Sequence, residues 1–440
     1  MHGIRLEDLG CAAILAFFAM QGAIPFIAPN QALESTSSAA SGLMLYGGIA
    51  SQVIVYAGIA ILAASNAQRL VRWLGAMQWA GALSLLAVAS TLWSQFPLLT
   101  LRRSVLFALA GLFGLYLAVR FPLRRQLSIL TMTMTALALG SIVLAVCFPK
   151  VGLDASAGHH LDWQGVFTQK NACGRAMVLA TAALLSGWRL SLGKVASLLL
   201  FWLVLFMSGS RGAWAIEVVL LAGCAWLAAA NRIEPRSRLV FFGFTLCAAL
   251  AVAGVALYHL PLLLAFMGRD ATLSGRTEIW KQAWRFILAR PLSGWGYAAF
   301  WRGLQGQSFE VAAALRYVVF HAHNGFLEIW LELGIPGLAL FTFSYLRAWR
   351  KLWPVMRSGD MRRGLWMALL LFLIFLYNLD ENTLLTFNGL PWVLYVSVLA
   401  NIELIGAENR LSERIHQIVE TLSLRHNLTR EPAWQQSIRS

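Results

Sequence analysis

His321-Ala-His-Asn-Gly-Phe-Leu-Glu-Ile-Trp-Leu-Glu-Leu-Gly-Ile-Pro336 leads into an apolar stretch that continues to Tyr345. A stretch of this length predicts a helix that crosses the hydrocarbon core of a bilayer, which needs about 20 residues. His321, His323 and Asn324 precede that helix. A chain this apolar has little reason to place titratable groups there unless chemistry occurs at that membrane face. Histidine has the ordinary pKa best suited to proton transfer near neutral pH.

The composition extends this prediction to the whole chain. Its 440 residues are 59% hydrophobic and 12% charged, a balance that excludes a soluble domain of this length. The apolar runs do not alternate as those of a β-barrel would. We therefore expect an all-α integral membrane protein, and we interpret the net charge of +15 first as a membrane property. The cysteines are odd in number and lie mostly in apolar runs, which favours packing over disulfides; they are Cys11, Cys147, Cys173, Cys224 and Cys247.

About 12 transmembrane helices are predicted. We expect nine in residues 1–266, a large loop at 267–322, three more in 323–406 and a polar tail at 407–440, which could form one surface helix. The first apolar run lacks a clear small-residue cleavage site, so we expect it to be retained. The predicted spans are 10–28, 42–64, 73–93, 104–119, 127–148, 172–188, 195–207, 213–230, 239–266, 325–345, 364–379 and 390–405.

Lysine and arginine orient these spans, because short cytoplasmic loops are enriched in both. The termini and short loops on the N-terminal side hold 22 of these residues, and the opposite short loops hold five. We therefore expect both termini in the cytoplasm and the 267–322 loop on the outer face.

The large loop has an amphipathic pattern. Apolar residues recur at helical spacing between Thr277 and Pro291, with Lys281 and Arg285 opposite them. Such a helix is expected to lie on the bilayer surface or to cap the bundle. The recurring residues are Ile279, Trp280, Ala283, Trp284 and Ile287.

Five polar segments fall on the predicted outer face. These segments are distant in sequence, but the predicted membrane topology places all five on the same side of the bilayer. They are 163–175 with Lys170, Asn171 and Arg175; 208–212 with Arg211; 270–280 with Arg276; 291–297, rich in glycine; and the histidine motif.

Each segment alone has a structural interpretation. Arg211 could extend to lipid head groups, Lys170 and Arg175 could anchor the interface, and either histidine could cap a helix. Arg276 at a helix N-terminus opposes the helix dipole, which makes more sense if an anion lies between them. Because few acids share this face, we expect the cations and imidazoles to form a pocket for a lipid-linked phosphate or pyrophosphate.

At these residues the chain resembles the O-antigen ligase and polymerase superfamily of bacterial polysaccharide assembly. The order, the spacing and the large outer loop match over most of the chain, and the 165–174 segment looks more like the exopolysaccharide repeat-polymerase branch. The matching elements are Ser210-Arg211-Gly212, Gly275-Arg276…Trp280, Pro291…Gly294-Trp295-Gly296, and His323-Asn324 followed by Leu327, Glu328, Gly334 and Gly337.

The resemblance implies a multi-span glycosyltransferase of the lipid-phosphate-sugar type. It would take a glycan from undecaprenyl pyrophosphate at the periplasmic face of the inner membrane and pass it to a sugar hydroxyl on a growing polymer, a lipid A core or a glycoprotein. By the family pattern, Arg211 and Arg276 would hold the pyrophosphate, and His323 would orient or deprotonate the acceptor. The residues expected to bind substrate are Lys170, Asn171, Arg175, His321, Asn324, Glu328 and Trp280.

The acidic residues favour chemistry without a metal or other cofactor. Asp380-Glu381 is the only adjacent acidic pair in the outer loops, which contain no Asp-x-Asp pair. A Mg²⁺ site would normally use carboxylates, whereas two guanidinium groups can neutralise a leaving pyrophosphate in a dry pocket. We therefore predict in-line displacement with inversion at the anomeric carbon.

Other polar and aromatic residues have two interpretations. Glu328 and Glu332 lie four apart on one helical face and either orient the histidine motif, pair with an arginine, or pack as structural residues; Glu217 is equally ambiguous. Tryptophans more often form the interfacial belt than sugar platforms. Trp163 and Trp280 are nevertheless candidates for glycan stacking.

Three alternatives stay open. A transporter or flippase would suit 12 spans, although transporters tend to show repeated halves and midplane charges, and no internal repeat is visible. A non-enzymatic scaffold of an envelope assembly machine is the second. The third is a ligase instead of the favoured repeat polymerase. Membrane lipids and other polysaccharide assembly proteins are expected partners, and nucleic acid is not.

Overall fold

The computed structural model describes residues 5–25, 42–154, 161–187, 191–234, 237, 275–357 and 361–429. Within these ranges the chain is helical and contains no multi-residue β-strand, so the all-α prediction is confirmed. The helices are α1 (Leu6–Ala19), α2 (Gly42–Ser65), α3 (Ala67–Leu74), α4 (Gln78–Ala89), α5 (Pro97–Arg120), α6 (Leu123–Cys147), α7 (Pro149–Gly152), α8 (Lys170–Leu185), α9 (Leu192–Met207), α10 (Arg211–Arg232), α11 (Arg276–Ala289), α12 (Gln307–Leu315), α13 (Gly325–Arg357), α14 (Met361–Asp380) and α15 (Leu390–Thr429).

The chain is a multi-pass membrane protein. Among the described residues, seven helices are long and apolar enough to cross a membrane, and Leu192–Met207 and Gly364–Asp380 are shorter apolar helices. The predicted span at 239–266 lies outside the described residues, so the expected total of 12 stays a prediction.

Helix α1 departs from the predicted span at 10–28. It begins at Leu6 because the Arg5 backbone N–H donates to Asp8 Oδ2 at 2.8 Å and closes a capping interaction that hydropathy cannot register. It ends at Ala19, and the chain then turns through Gln21, whose φ is 56°. The predicted boundaries of this span were therefore wrong.

Three other spans differ in extent from their predicted ranges. The 73–93 span is divided between α3 and α4 by a 3-10 turn at Gly75–Met77. Helix α13 continues beyond 345 to Arg357, and α15 continues beyond 405 to Thr429, so the described part of the polar tail extends the last span as one helix. Polar residues can continue a helix once it leaves the bilayer, which is why hydropathy alone misplaces these ends.

Helices α5 and α15 form part of the main core. The rings of Phe107 and Trp392 stack with centroids 4.1 Å apart. Gly114 lies directly against the backbone of Val393, where a Cβ would overlap the carbonyl oxygen. This close approach fixes the start of α15 and the loop that precedes it.

A break in α13 receives the glycine-rich 291–296 segment. Gly334 has a φ of 67°, and a Cβ there would overlap the carbonyl oxygen of Leu292, so a side chain cannot be accommodated. The Trp295 N–H donates to the Leu331 carbonyl at 2.9 Å. This glycine-rich segment therefore docks the large loop onto α13.

The predicted amphipathic helix is confirmed as α11. It buries Ile279, Ala283 and Ile287 as expected, together with Phe286, whereas Trp284 is half-exposed. These residues form a second apolar cluster with Leu331 of α13 and with residues of the 291–322 loop. Helix α11 thus packs onto the start of α13 and is held beside the histidine motif.

Candidate active site

The centre of the site is the carboxylate of Glu381, which follows α14 and is only 2% exposed. His323 Nδ1 lies 3.2 Å from Oε1, and His321 Nδ1 lies 3.6 Å from Oε2. Arg276 and Arg175 approach Oε1 at 3.6 and 3.7 Å, and their side chains are 13% and 11% exposed. One buried carboxylate therefore gathers two histidines and two arginines from three separate parts of the chain.

Backbone contacts at the end of α14 explain how these parts meet. The Glu381 N–H donates to the Tyr377 carbonyl at 2.8 Å, which fixes the residue immediately after the helix. The Tyr377 hydroxyl donates to the backbone carbonyl of Arg175 at 2.8 Å. Gly325, the first residue of α13, lies so close to Asn378 that a Cβ would overlap the side chain. The start of α8, the start of α13 and the end of α14 thus meet at one point.

The histidine motif is held by hydrogen bonds on both sides. Asn324 Oδ1 accepts two backbone N–H groups of the first turn of α13, at 3.0 and 3.1 Å, and so caps the helix. Glu328 Oε2 accepts the Ala322 N–H at 2.8 Å, and the Trp280 indole donates to the Ala322 carbonyl at 2.9 Å. Glu328 therefore orients the motif, while substrate contacts by Asn324, Glu328 and Trp280 stay predictions.

The two histidines occupy different environments. His321 Nδ1 accepts the His323 backbone N–H at 3.3 Å, and the two rings lie 4.0 Å apart between centroids. Burial lowers the pKa of His321 to about 4, and the charges of His323, Arg175 and Arg276 act in the same direction while Glu381 opposes them. His321 is therefore a neutral acceptor at pH 7 that supports the His323 backbone, which has an uncommon positive φ of 49°.

Charge complementarity keeps Glu381 ionised. Burial acts to raise the pKa of its carboxyl, but the charge of Arg175 and the hydrogen bond with His323 act against burial, so the pKa lies well below its usual range. The site consequently keeps one buried negative charge among its cations at neutral pH.

Arg276 has a second acidic partner. Its guanidinium also bonds the carboxylate of Asp380, which is 33% exposed. Asp380 lies against the start of α10, where a Cβ on Gly212 would be 3.0 Å from its Oδ2. Arg211 directly precedes Gly212; its side chain is exposed and has no ion-pair partner among the described residues. The structure thus brings Arg276 and His323 to Glu381 and places the Arg211 backbone beside Asp380.

Lys170 and Asn171 make contacts next to this group. Lys170 Nζ pairs with Asp162 Oδ2 at 2.7 Å, and Asn171 Oδ1 accepts the Ser210 hydroxyl at 3.1 Å. These contacts tie the start of α8 to the turn that precedes Arg211. The predicted roles of Lys170 and Asn171 in substrate binding stay predictions.

An apolar crevice opens beside Arg175. Its walls come from α1, α8, α14 and the start of α15, and Arg175 is part of its lining. Its lining includes Phe18, Ala19, Ala172, Ala176, Leu179 and Leu390, with Gln21, Arg175, Tyr377 and Thr383 as polar members.

A metal ion has one candidate position among the described residues. His321, His323 and Glu381 each offer a ligand atom, and these atoms lie within 4.8 Å of one another. Nitrogen and carboxylate ligands of this kind suit a transition metal, although Arg175 and Arg276 beside Glu381 oppose additional positive charge. The expectation of a metal-free site stays a prediction.

Glu381 is the residue that sequence reasoning missed. It entered the sequence analysis only as half of an acidic pair in the search for a metal site. The charge pattern of the sequence could have identified Glu381. It is one of the few acids on a face rich in cations, and a buried acid in such a place is expected to pair with them.

Comparison with known proteins shows which family part of this chain resembles. Residues 196–342 match the family model described as O-antigen ligase. This part of the chain is therefore similar to the O-antigen ligase family. The predicted family resemblance is therefore confirmed, and the matched region includes Arg211, Arg276, His323 and Asn324, whereas Glu381 lies beyond it.

A curated relative extends the resemblance. The exopolysaccharide production protein ExoQ of Rhizobium meliloti (strain 1021) is 28% identical over 291 residues, which cover 61% of this chain. The alignment spans 64% of the length of that relative. The resemblance therefore reaches well outside the O-antigen ligase domain without covering either chain completely.

Proposed function

We propose that the chain is a membrane glycosyltransferase that moves a glycan from an undecaprenyl-pyrophosphate-linked donor to an acceptor sugar hydroxyl. The observation that carries this proposal is the convergence of His323, Arg276 and Arg175 on the buried Glu381 carboxylate at one end of an apolar bundle. The O-antigen ligase domain and the relation to an exopolysaccharide production protein support it.

The donor's charge and its lipid have separate environments. Arg276 and Arg211 bind the diphosphate, and Arg276 is well shielded from water, so its contacts with an anion are stronger than at an open surface. The apolar crevice beside Arg175 suits the isoprenoid units of the donor's undecaprenyl chain that lie next to the diphosphate. A lipid diphosphate therefore matches the site better than a soluble nucleotide sugar.

The transfer is a single displacement. The acceptor oxygen forms a bond to the anomeric carbon while its proton passes to His323 Nε2. The bond from that carbon to the diphosphate oxygen breaks, and the diphosphate leaves with the electron pair. Arg276 and Arg211 stabilise the charge that develops on it, so the reaction inverts the anomeric centre and requires no metal.

The metal-free part of the proposal has its own test. Purified protein is treated with a chelator and assayed with a lipid-linked oligosaccharide. Transfer is expected to continue at the untreated rate, because guanidinium groups supply the positive charge. Abolition by chelator and restoration by Mg²⁺ or Mn²⁺ would instead support the His321, His323 and Glu381 group as a metal site.

Polymerisation of repeat units is the favoured reaction. The relation to an exopolysaccharide production protein and the Lys170-Asn171 segment favour it. The alternative is a ligase that transfers finished chains to lipid A core or to a protein. A deletion strain separates the two: single repeats that accumulate on lipid indicate a polymerase, and full-length chains stranded on undecaprenyl pyrophosphate indicate a ligase.

The reaction is proposed for the periplasmic face of the bacterial inner membrane. The bias of 22 against five basic residues supports cytoplasmic termini. Glu381 precedes α15, whose other end leads into the C-terminal tail. Other polysaccharide assembly proteins are expected to supply the donor and receive the product. A cysteine placed at Glu310 of the large loop should react with a membrane-impermeant thiol reagent added from the periplasmic side; labelling only from the cytoplasmic side would reverse the orientation.

A further inference from the structure

The contacts of Glu381 assign it a role that neither the family match nor the sequence motifs provide. We infer that Glu381 is the positioning residue of the site: it accepts a hydrogen bond from His323 Nδ1 and is the shared counter-ion of Arg276 and Arg175. This inference rests on the proposed transferase function and deepens it. The O-antigen ligase match ends at residue 342 and so does not include this position.

The first part of the role concerns the histidine tautomer. His323 Nδ1 lies 3.2 Å from Glu381 Oε1, whereas Nε2 has no hydrogen-bond partner in the part of the chain that the structure describes. A carboxylate at Nδ1 favours the tautomer that carries its proton there and leaves the lone pair on Nε2. It also stabilises the imidazolium that forms when Nε2 receives the acceptor's proton. Glu381 therefore acts on transfer through His323.

The second part concerns the arginines. Arg276 and Arg175 both approach the same oxygen, Oε1, that His323 contacts. The other charged groups facing this point are His321 from the same loop as His323 and Asp380 from the end of α14, which pairs with Arg276. Neutralising Glu381 would leave two nearly buried cations less compensated, and the site would then attract the donor's diphosphate more strongly.

These two parts predict that Glu381→Gln lowers kcat without raising the donor KM. With Glu381→Gln, kcat should fall by about 10²-fold, the scale of impaired general base catalysis. The donor KM should stay unchanged or fall, because a negative charge has been removed beside Arg276 and Arg175. A residue with only a structural role would lower the amount of folded protein and raise KM or leave it, without a selective loss of kcat. Glu381→Asp retains the charge and should recover part of kcat.

A spectroscopic measurement tests the tautomer without turnover. In protein labelled with ¹⁵N-histidine, the His323 signals, assigned by their loss in His323→Asn, should show Nδ1 protonated and Nε2 unprotonated. Glu381→Ala should change that pattern, whereas Glu381→Gln should keep it because the amide oxygen still accepts a hydrogen bond. An unchanged pattern in Glu381→Ala would overturn the positioning role even if all variants had lost activity.

A matched control uses Glu403, another largely buried carboxylate with two cationic partners, Arg347 and Lys351. Glu403→Gln should retain wild-type kcat and KM. If Glu381→Gln behaved like Glu403→Gln while His323→Ala and Arg276→Ala lost transfer, the positioning role would be refuted and the proposed function would stand. If His323→Ala retained full transfer, the proposed function itself would be wrong.

Discussion

Replacing Arg276 with alanine should remove most of the transition-state stabilisation that the site gives to the leaving diphosphate. The guanidinium is 13% exposed, so its bonds to a charged phosphate oxygen are shielded from water. Loss of such a donor costs about 3 kcal/mol, which corresponds to a decrease of roughly 10²-fold in kcat/KM. The assay is formation of glycan product from a purified lipid-linked oligosaccharide, with protein level and thermal stability measured in parallel.

Two further variants separate this role from a structural one. Arg285 lies on the same helix, and its ion pair with Glu310 is exposed, so Arg285→Ala should change kcat/KM very little. If Arg276 served only to neutralise Asp380, then adding Asp380→Asn to Arg276→Ala would restore activity. The reasoning predicts that the double variant stays impaired; recovery of transfer in it would refute the proposed contact with the diphosphate.

Three more predictions follow from individual residues. His323→Ala should abolish transfer, whereas His321→Ala should leave a measurable fraction, because His321 Nδ1 only supports the His323 backbone; equal loss would erase that distinction. As pH falls from about 6.5 to about 4, thermal stability should decrease, because unfolding lets His321 take up a proton that its lowered pKa of about 4 excludes in the folded protein. This contribution to the free energy of unfolding is on the order of 3 kcal/mol at most. His321→Asn should make stability less dependent on pH in this range. Gly334→Ala should lower stability and activity because its Cβ would overlap the Leu292 carbonyl, whereas Gly193→Ala, with open space around it, should do neither; equal melting temperatures would contradict the docked loop.

Local patterns determined much of what the sequence could predict. The periodicity from residue 277 and the proline at 291 identified α11, and the apolar stretch after Asn324 identified the start of α13. Arg276 and Arg175 were grouped with the histidines because they share a predicted membrane face, and the structure brings these side chains together at Glu381. Topology alone was sufficient for that grouping.

Contacts between distant residues could not be predicted in the same way. His323 and Glu381 are 58 positions apart, and hydropathy does not show which acid meets which cation. The Asn324 side chain caps α13, a role that depends on backbone direction; its expected contact with substrate stays a prediction. The break at Gly334 was likewise hidden, because it exists to receive a loop distant in sequence.

Reconstituted transfer tests the central claim most directly. Purified protein in liposomes is given a defined undecaprenyl-pyrophosphate-linked oligosaccharide and its acceptor, and glycan length, released undecaprenyl pyrophosphate and donor movement across the bilayer are measured together. We predict a new glycosidic bond for each lipid pyrophosphate released, and no product with His323→Ala. Movement of the intact donor without bond formation, or undiminished product from His323→Ala, would contradict the account.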